Sequence, residues 1–429
     1  MKKLAGVFVD VTALFALARA TGIQRVVRAI LDDSEQFRLV AYDETIGGYR
    51  EISELPGSER RPDSELAGRL RGAVRFIGYL VWLLFGWLMR PISDSKLFQR
   101  AKLLAGSLYS RHLAEVTVSN LGNGREVSVA DIGSLWLLDI PKTESHMAFL
   151  EECVVPSGCR FGVYVYDLIP VEFPHLIDAP DRRTIIREYE RYLELLAQAD
   201  VVLCLSHYTK QSLEDYFRGR SSVLRCVPQV VYPPMVQDMS SFRAGQDSAC
   251  DLDSRPGVRV FGLAPLNRRK NMRVVFQAVT ESLREGSGLE VRVVVPILSA
   301  VHLPTAFQAV LLAARYPNRV RLYGPVDRTT LAELYRWCDV VAVPSRAEGF
   351  GLPIVEALSA GKPVVAAACT SFVELAELLP IRLADPDSAE QWKQALLEAP
   401  ALEKDFVDLS KVLTSPMRFR ELLIRLSRT

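Results

Sequence analysis

Short β-branched runs alternate with helical patterns along this chain, and the alternation starts twice. In the first half AGVFVDV precedes TGIQRVVRAILDD, RFGVYVYD precedes TIIREYERYLELLAQA, and VVLCLS precedes YTKQSLEDYF. Such a pattern is the sequence form of βαβ units, because parallel neighbours need a crossover long enough to hold a helix. After residue 257 the pattern restarts with GVRVFGLA, LEVRVVVPI, RVRLYGP, DVVAVPS and KPVVAAA, separated by helix-length segments. QDMSSFRAGQDSACDLDSRPG lies between the halves and is polar with many turn residues, so it reads as a linker at 236–256. The 429 residues exceed what one hydrophobic core usually supports. Two α/β domains are expected, 1–235 and 257–400, followed by a helical segment at 401–429 for which a return to the first domain is one open course.

Composition removes several classes. Fifty-two basic residues against 51 acidic ones leave a net charge of +1, so no global field favours nucleic acid. Seven cysteines lie scattered without a C-x-x-C pair and five histidines show no ligand spacing, which reads as reduced thiols and no structural zinc. Asp251 and Asp253 have metal-motif spacing but fall in the linker, as two solvated acids. The opening MKKLAGVFVDV is broken at Asp10 and reads as a buried first strand rather than a signal peptide, so a cytoplasmic location is expected.

One stretch interrupts the α/β pattern, within an insert at about 56–115. Residues 66–111 carry eight basic side chains, Arg75 and Arg90 among them, against the single acid Asp94. Inside lies FIGYLVWLLFGWLM, 14 uncharged residues from Phe76 to Met89 that include Trp82 and Trp87. A spanning helix needs about 20 apolar residues, and a span would split one domain across a bilayer. The expectation is a monotopic element on an anionic membrane surface, peripheral on the inner face, held by Trp82, Trp87, Arg75 and Arg90. The alternative is a buried core helix.

The most informative stretch is DVVAVPSRAEGFGLPIVEALSAGKPVVAA. A strand over Asp339 to Val343 runs into a turn and loop, then a helix whose Pro353 suits a first turn and whose end suits Gly361. Glu348 falls at the carboxyl end of a parallel strand, where open α/β sheets bind ligands, and Glu356 falls in the following helix. Gly349 and Gly351 would let backbone amides approach a phosphate beside a helix N-terminus. Two carboxylates flanking an anion-binding loop suit a sugar nucleotide.

At these residues the chain resembles the retaining glycosyltransferases of family 4, which have the GT-B fold of two Rossmann-like domains facing a cleft. Their signature is two glutamates separated by seven residues, and EGFGLPIVE matches it. The resemblance implies that Glu348 lies beside the donor sugar and Glu356 meets the nucleotide ribose, with Gly349, Phe350, Gly351 and Leu352 lining the donor site. VFGLAPLNRRKNMRVVFQAV resembles the family's glycine turn followed by a basic pair, which implies that Arg269 and Lys270 hold the donor diphosphate and that Arg268 adds a third cation. The first half, with VDVTALFALARATGIQRVVRAI, resembles a branch of bacterial surface-polysaccharide (O-antigen, lipopolysaccharide or exopolysaccharide) mannosyltransferases. That places Gly22 facing the donor, and Arg25 and Tyr166 on the acceptor side. Asp167 stands at a strand end as an acceptor-side carboxylate, and Ser206 with Thr209 forms a helix cap. After Ser371 the chain departs from the family, with FVELAELLP in place of a glycine-containing loop.

The reading is therefore a retaining hexosyltransferase. It takes a nucleotide-diphosphate sugar as donor and a lipid-linked or oligosaccharide hydroxyl as acceptor, and needs no metal because cations and amides stabilise the diphosphate. A non-catalytic sugar-nucleotide-binding or membrane scaffold protein with the same fold is the alternative.

Overall fold

The computed structural model describes residues 4–16, 22–31, 36–53, 55, 124–141, 143–179, 181–234, 242, 257–295, 302–401 and 407–428. The insert, including Arg75, Trp82, Trp87 and Arg90, lies outside the described residues, as does the linker apart from Phe242.

Among the described residues the first domain is built on eight strands: β1 (Leu4–Asp10), β2 (Phe37–Asp43), β3 (Gly48–Ile52), β4 (Glu126–Val127), β5 (Ile132–Leu137), β6 (Arg160–Val165), β7 (Val201–Cys204) and β8 (Gln229–Val230). Their order is β4-β3-β2-β1-β5-β6-β7-β8. The β1, β2 and β5–β8 strands are mutually parallel, whereas β3 and β4 pair antiparallel at one edge with Arg50 opposite Glu126. The insert thus leaves and re-enters at a sheet edge, where an extra segment disturbs no interior ladder.

The second domain has six parallel strands: β9 (Val258–Leu263), β10 (Leu289–Val294), β11 (Val320–Tyr323), β12 (Val340–Val343), β13 (Val364–Ala367) and β14 (Ile381–Ala384). Their order is β11-β10-β9-β12-β13-β14, the doubly wound order of a dinucleotide-binding sheet. Strand order reverses between β9 and β12 here, and between β1 and β5 in the first domain. At each reversal the flanking crossovers leave in opposite directions and open a crevice at the carboxyl ends of the strands.

The central strands are buried on both faces, which accounts for their near-continuous apolar runs. The chain then crosses back. The helix Pro416–Leu426 packs on the helix Gly22–Leu31, burying Phe419 and Leu423 completely. Trp136 Nε1 donates to Ser427 Oγ at 2.9 Å and Arg420 Nη1 to the Ile30 carbonyl at 3.2 Å. Among the described residues no helix is long and apolar enough to cross a membrane.

Candidate active site

Two loops meet at the β9/β12 reversal. The first follows β9. In Asn267-Arg268-Arg269-Lys270-Asn271, Asn267 Oδ1 accepts from Lys270 N at 2.8 Å, and Asn271 takes a left-handed conformation (φ 49°) that asparagine tolerates. This tight turn throws Arg269 and Lys270 toward the second loop, which follows β12 and is anchored to it by Arg346 N on the Arg269 carbonyl at 2.7 Å. Glu348 is the meeting point. Its carboxylate lies 3.0 Å from Arg269 Nη1 and forms an ion pair with Lys270 Nζ.

The side chains of Glu348, Lys270 and Arg269 keep 14%, 16% and 29% of their surface exposed. Burial would raise the carboxyl pKa of Glu348, but the two cations outweigh it and hold it at about 2. From the other domain Asp167 stands at the end of β6, its carboxylate accepting from Ile169 N at 3.1 Å; burial pushes its pKa up against the pull of Arg269.

The remaining expected site residues divide. Glu356 is 2% exposed and pairs across the interface with Arg25 at 2.7 Å. Burial raises the Glu356 pKa despite that partner. Gly22 opens its helix facing Leu352, whose Cδ1 lies 3.6 Å from where a Cβ would stand. Arg268 turns away from the cation pair to Asp178, with Nε 3.1 Å from Oδ1, because Asp178 of the first domain also accepts from its backbone N–H. The Tyr166 side chain is a core group, 6% exposed with its hydroxyl on the Leu138 carbonyl at 2.9 Å. Phe350 is 2% exposed and packs on Tyr232 with ring centroids 5.9 Å apart.

The glycines have reasons other than phosphate approach. A Cβ on Gly349 would stand 1.8 Å from the Tyr166 carbonyl oxygen, so the two domains touch backbone to backbone there. Gly351 adopts φ 128°, and its Cβ would meet Phe372 at 2.8 Å. Gly262, expected in a turn, lies inside β9, and a Cβ on it would meet the Met272 methyl at 2.9 Å.

Sequence reasoning missed a second polar cluster, at the β1/β5 reversal. Asp10 Oδ2 accepts from Tyr49 Oη at 2.7 Å and lies 2.8 Å from His146 Nε2, while Oδ1 accepts from Thr12 N and Oγ1. The helix Glu144–Phe149 supplies His146, which stacks on Tyr42 at 4.9 Å. All four members are buried, with His146 1% and Tyr49 0% exposed. Only the aspartate carried a signal, as the acid that breaks the opening apolar run.

Among the described residues no group of three or more His, Cys, Asp or Glu side chains could hold a metal ion. A cavity of about 270 Å³ lined by Gly133, Arg160, Asp200 and Arg225 sits at the N-terminal ends of β5–β7, the end of the sheet opposite the crevice.

Residues 257–400 match the family of group 1 glycosyl transferases. D-inositol 3-phosphate glycosyltransferase of Segniliparus rotundus is 26% identical over 230 residues, 53% of this chain and 47% of that protein. Its namesake in Nocardia farcinica is 30% identical over 181 residues, 41% of this chain and 39% of the relative. The chain thus spans less than half the length of these curated relatives. The crystal structure of Anabaena HepE with UDP and glucose superposes with a TM-score of 0.58 at 14% identity, covering 99% of both chains. A UDP-forming trehalose-phosphate synthase of Burkholderia xenovorans gives 0.53 at 15% identity over 78% of this chain and 80% of that one. The architecture is the two-domain α/β GT-B fold.

Proposed function

We propose that this chain is a glycosyltransferase that moves a hexose from a nucleotide-diphosphate donor to an acceptor hydroxyl in the crevice between its domains. The observation that carries the reading is the convergence of Arg269, Lys270 and Glu348, partly exposed, at the β9/β12 reversal, with Asp167 opposite them on the other domain. Fixed cations at the mouth of a dry crevice stabilise the charge that gathers on a departing diphosphate, and they do so without reorganising. Glu348 keeps that pair oriented and offers an ionised carboxylate to a sugar hydroxyl. Glu356 serves the ribose once Arg25 shares it, and Asp167 faces the acceptor.

In this reading the anomeric carbon–phosphate oxygen bond breaks, the acceptor oxygen bonds to that carbon on the same face, and the departing phosphate oxygen takes the hydroxyl proton. Configuration is retained. No metal is assigned, because the cations already meet the diphosphate.

For the acceptor, the basic apolar segment and the resemblance of the first half support a lipid-linked sugar at an anionic membrane surface, with mannose as the transferred hexose and surface-polysaccharide synthesis as the setting. The relatives named for D-inositol 3-phosphate support a phosphorylated polyol as the competing acceptor. Thermal shift and nucleoside-diphosphate release across a panel of nucleotide sugars, with and without each acceptor class, test the proposal. A stabilising donor that is consumed only with acceptor is the expected result. A panel in which no nucleotide sugar binds or turns over overturns it.

A further inference from the structure

The helix Thr370–Leu378, which holds most of the segment that departs from the family after Ser371, packs on the helix His207–Phe217 of the first domain. At its start Thr370 has φ 35°, an outlying conformation for a β-branched residue that persists only where neighbours hold it. Here Thr370 Oγ1 donates to the Glu348 carbonyl and accepts from Glu348 N, both at 3.0 Å. Ser371 Oγ adds a bond to the Phe350 carbonyl at 2.8 Å. The first turn of this helix therefore fixes the backbone of the loop that aims Glu348.

One turn on, Glu374 reaches the other domain. Its carboxylate accepts from His207 N at 3.0 Å, from Tyr208 N at 2.9 Å and from Tyr232 Oη at 2.8 Å. His207 and Tyr208 open the helix His207–Phe217, whose third N–H, on Thr209, is capped by Ser206 Oγ at 3.1 Å. The first N–H groups of a helix have no intrahelical acceptor, and the helix dipole favours an anion there. A carboxylate from the second domain thus completes a helix cap in the first. Ser206 closes the circuit by donating to the Gly349 carbonyl at 2.7 Å, inside the Glu348 loop.

We propose that Glu374 is a positioning residue that couples domain closure to the placement of Glu348, resting on the glycosyl-transfer reading above. Its bonds to His207 and Tyr208 exist only while the domains touch, and the helix that carries it holds the loop of Glu348 at its other end. A donor bound in an open crevice would meet Glu348 in a loop gripped on one side only. Closure would therefore set the rate of transfer more than the strength of nucleotide binding.

The test compares wild type with Glu374→Ala, Glu374→Gln and Tyr232→Phe in the full chain. Turnover, the Kd of the nucleoside diphosphate released by the wild-type enzyme, melting temperature and the radius of gyration with and without that nucleotide are read together. Glu374→Ala is expected to lower kcat about 10- to 100-fold with the nucleotide Kd changed less than threefold and the melting temperature nearly unchanged, and to leave the chain more extended with nucleotide bound. Glu374→Gln, which keeps one good acceptor, should fall between, and Tyr232→Phe nearest wild type. Turnover of Glu374→Ala within twofold of wild type would overturn the proposal, as would a loss of kcat matched by an equal loss of stability. A wild type that consumes no nucleotide sugar would instead refute the transfer reading; UDP and GDP then serve as the scattering probes, and equal compaction of wild type and Glu374→Ala would sink the clasp independently.

Discussion

The two sheets reverse their strand order at equivalent places, and polar residues gather at both, yet the two clusters are built oppositely. At β9/β12 the charged groups keep 14–29% of their side-chain surface exposed. At β1/β5 the Asp10, Thr12, Tyr49 and His146 cluster is 8% exposed or less throughout, and each contact points inward. A buried polar cluster helps to specify a core, whereas partly exposed charge at a crevice is what a ligand can use. The difference teaches that position at a reversal is not enough to make a site; exposure decides. The first cluster is the one we propose for sugar transfer, and the second fixes the end of β1 from which the chain continues toward Gly22 and Arg25.

The comparison breaks if stability and activity do not separate. His146→Ala leaves the Asp10 carboxylate buried without its nitrogen partner, which should cost about 3 kcal/mol or more. For a domain of this size that lowers the melting temperature by roughly 6–12 °C in calorimetry. An unchanged melting temperature would show that the network is not structural.

Glu348 sharpens the contrast through pH. Its pKa in the folded chain, about 2, lies below the ordinary 4.5. That depression contributes about 3 kcal/mol above pH 4.5, and it is lost as the pH falls from about 4.5 toward 2. Urea unfolding of wild type and Glu348→Gln should therefore show a stability gap that is full at pH 7 and narrows toward pH 3. A gap that stays constant would mean that Arg269 and Lys270 do not hold this carboxylate. The smaller effect is expected at Glu356, where Glu356→Ala should weaken nucleoside-diphosphate binding by about 1.5–3 kcal/mol, the worth of hydrogen bonds to a charged group. Calorimetric titration giving wild-type affinity would remove the ribose role.

Much of this molecule was legible in its sequence. Central strands and their helices announce themselves through periodicity, and EGFGLPIVE and NRRKN place Glu348, Arg269 and Lys270 at strand ends where a doubly wound sheet binds ligands. The edge strands β3 and β4 were not legible, since Gly48–Ile52 and Glu126–Val127 are short, half polar and separated by the insert. Nor were the contacts between domains. Arg25 and Glu356 lie 331 residues apart, and Glu374 and His207 lie 167 apart. The partners of Glu374 are mainly backbone N–H groups, which every residue but proline carries and which leave no letter in a sequence. The burial of the Tyr166 and Phe350 side chains was not legible for a related reason. A motif fixes where a residue stands in the chain, but which way its ring turns depends on the packing around it.

The central claim is that the exposed cluster performs the chemistry, and Lys270 tests it most directly. Its ammonium is paired with Glu348, the carboxylate on which the cluster converges. Single-turnover release of nucleoside diphosphate from the nucleotide sugar that the wild type consumes should fall in Lys270→Ala by about 3 kcal/mol of transition-state stabilisation, roughly 150-fold. Because Lys270 also helps to hold Glu348 ionised, its loss lowers the melting temperature as well, and release is read at a temperature where Lys270→Ala is folded. Release within threefold of wild type by a folded Lys270→Ala protein would contradict the account.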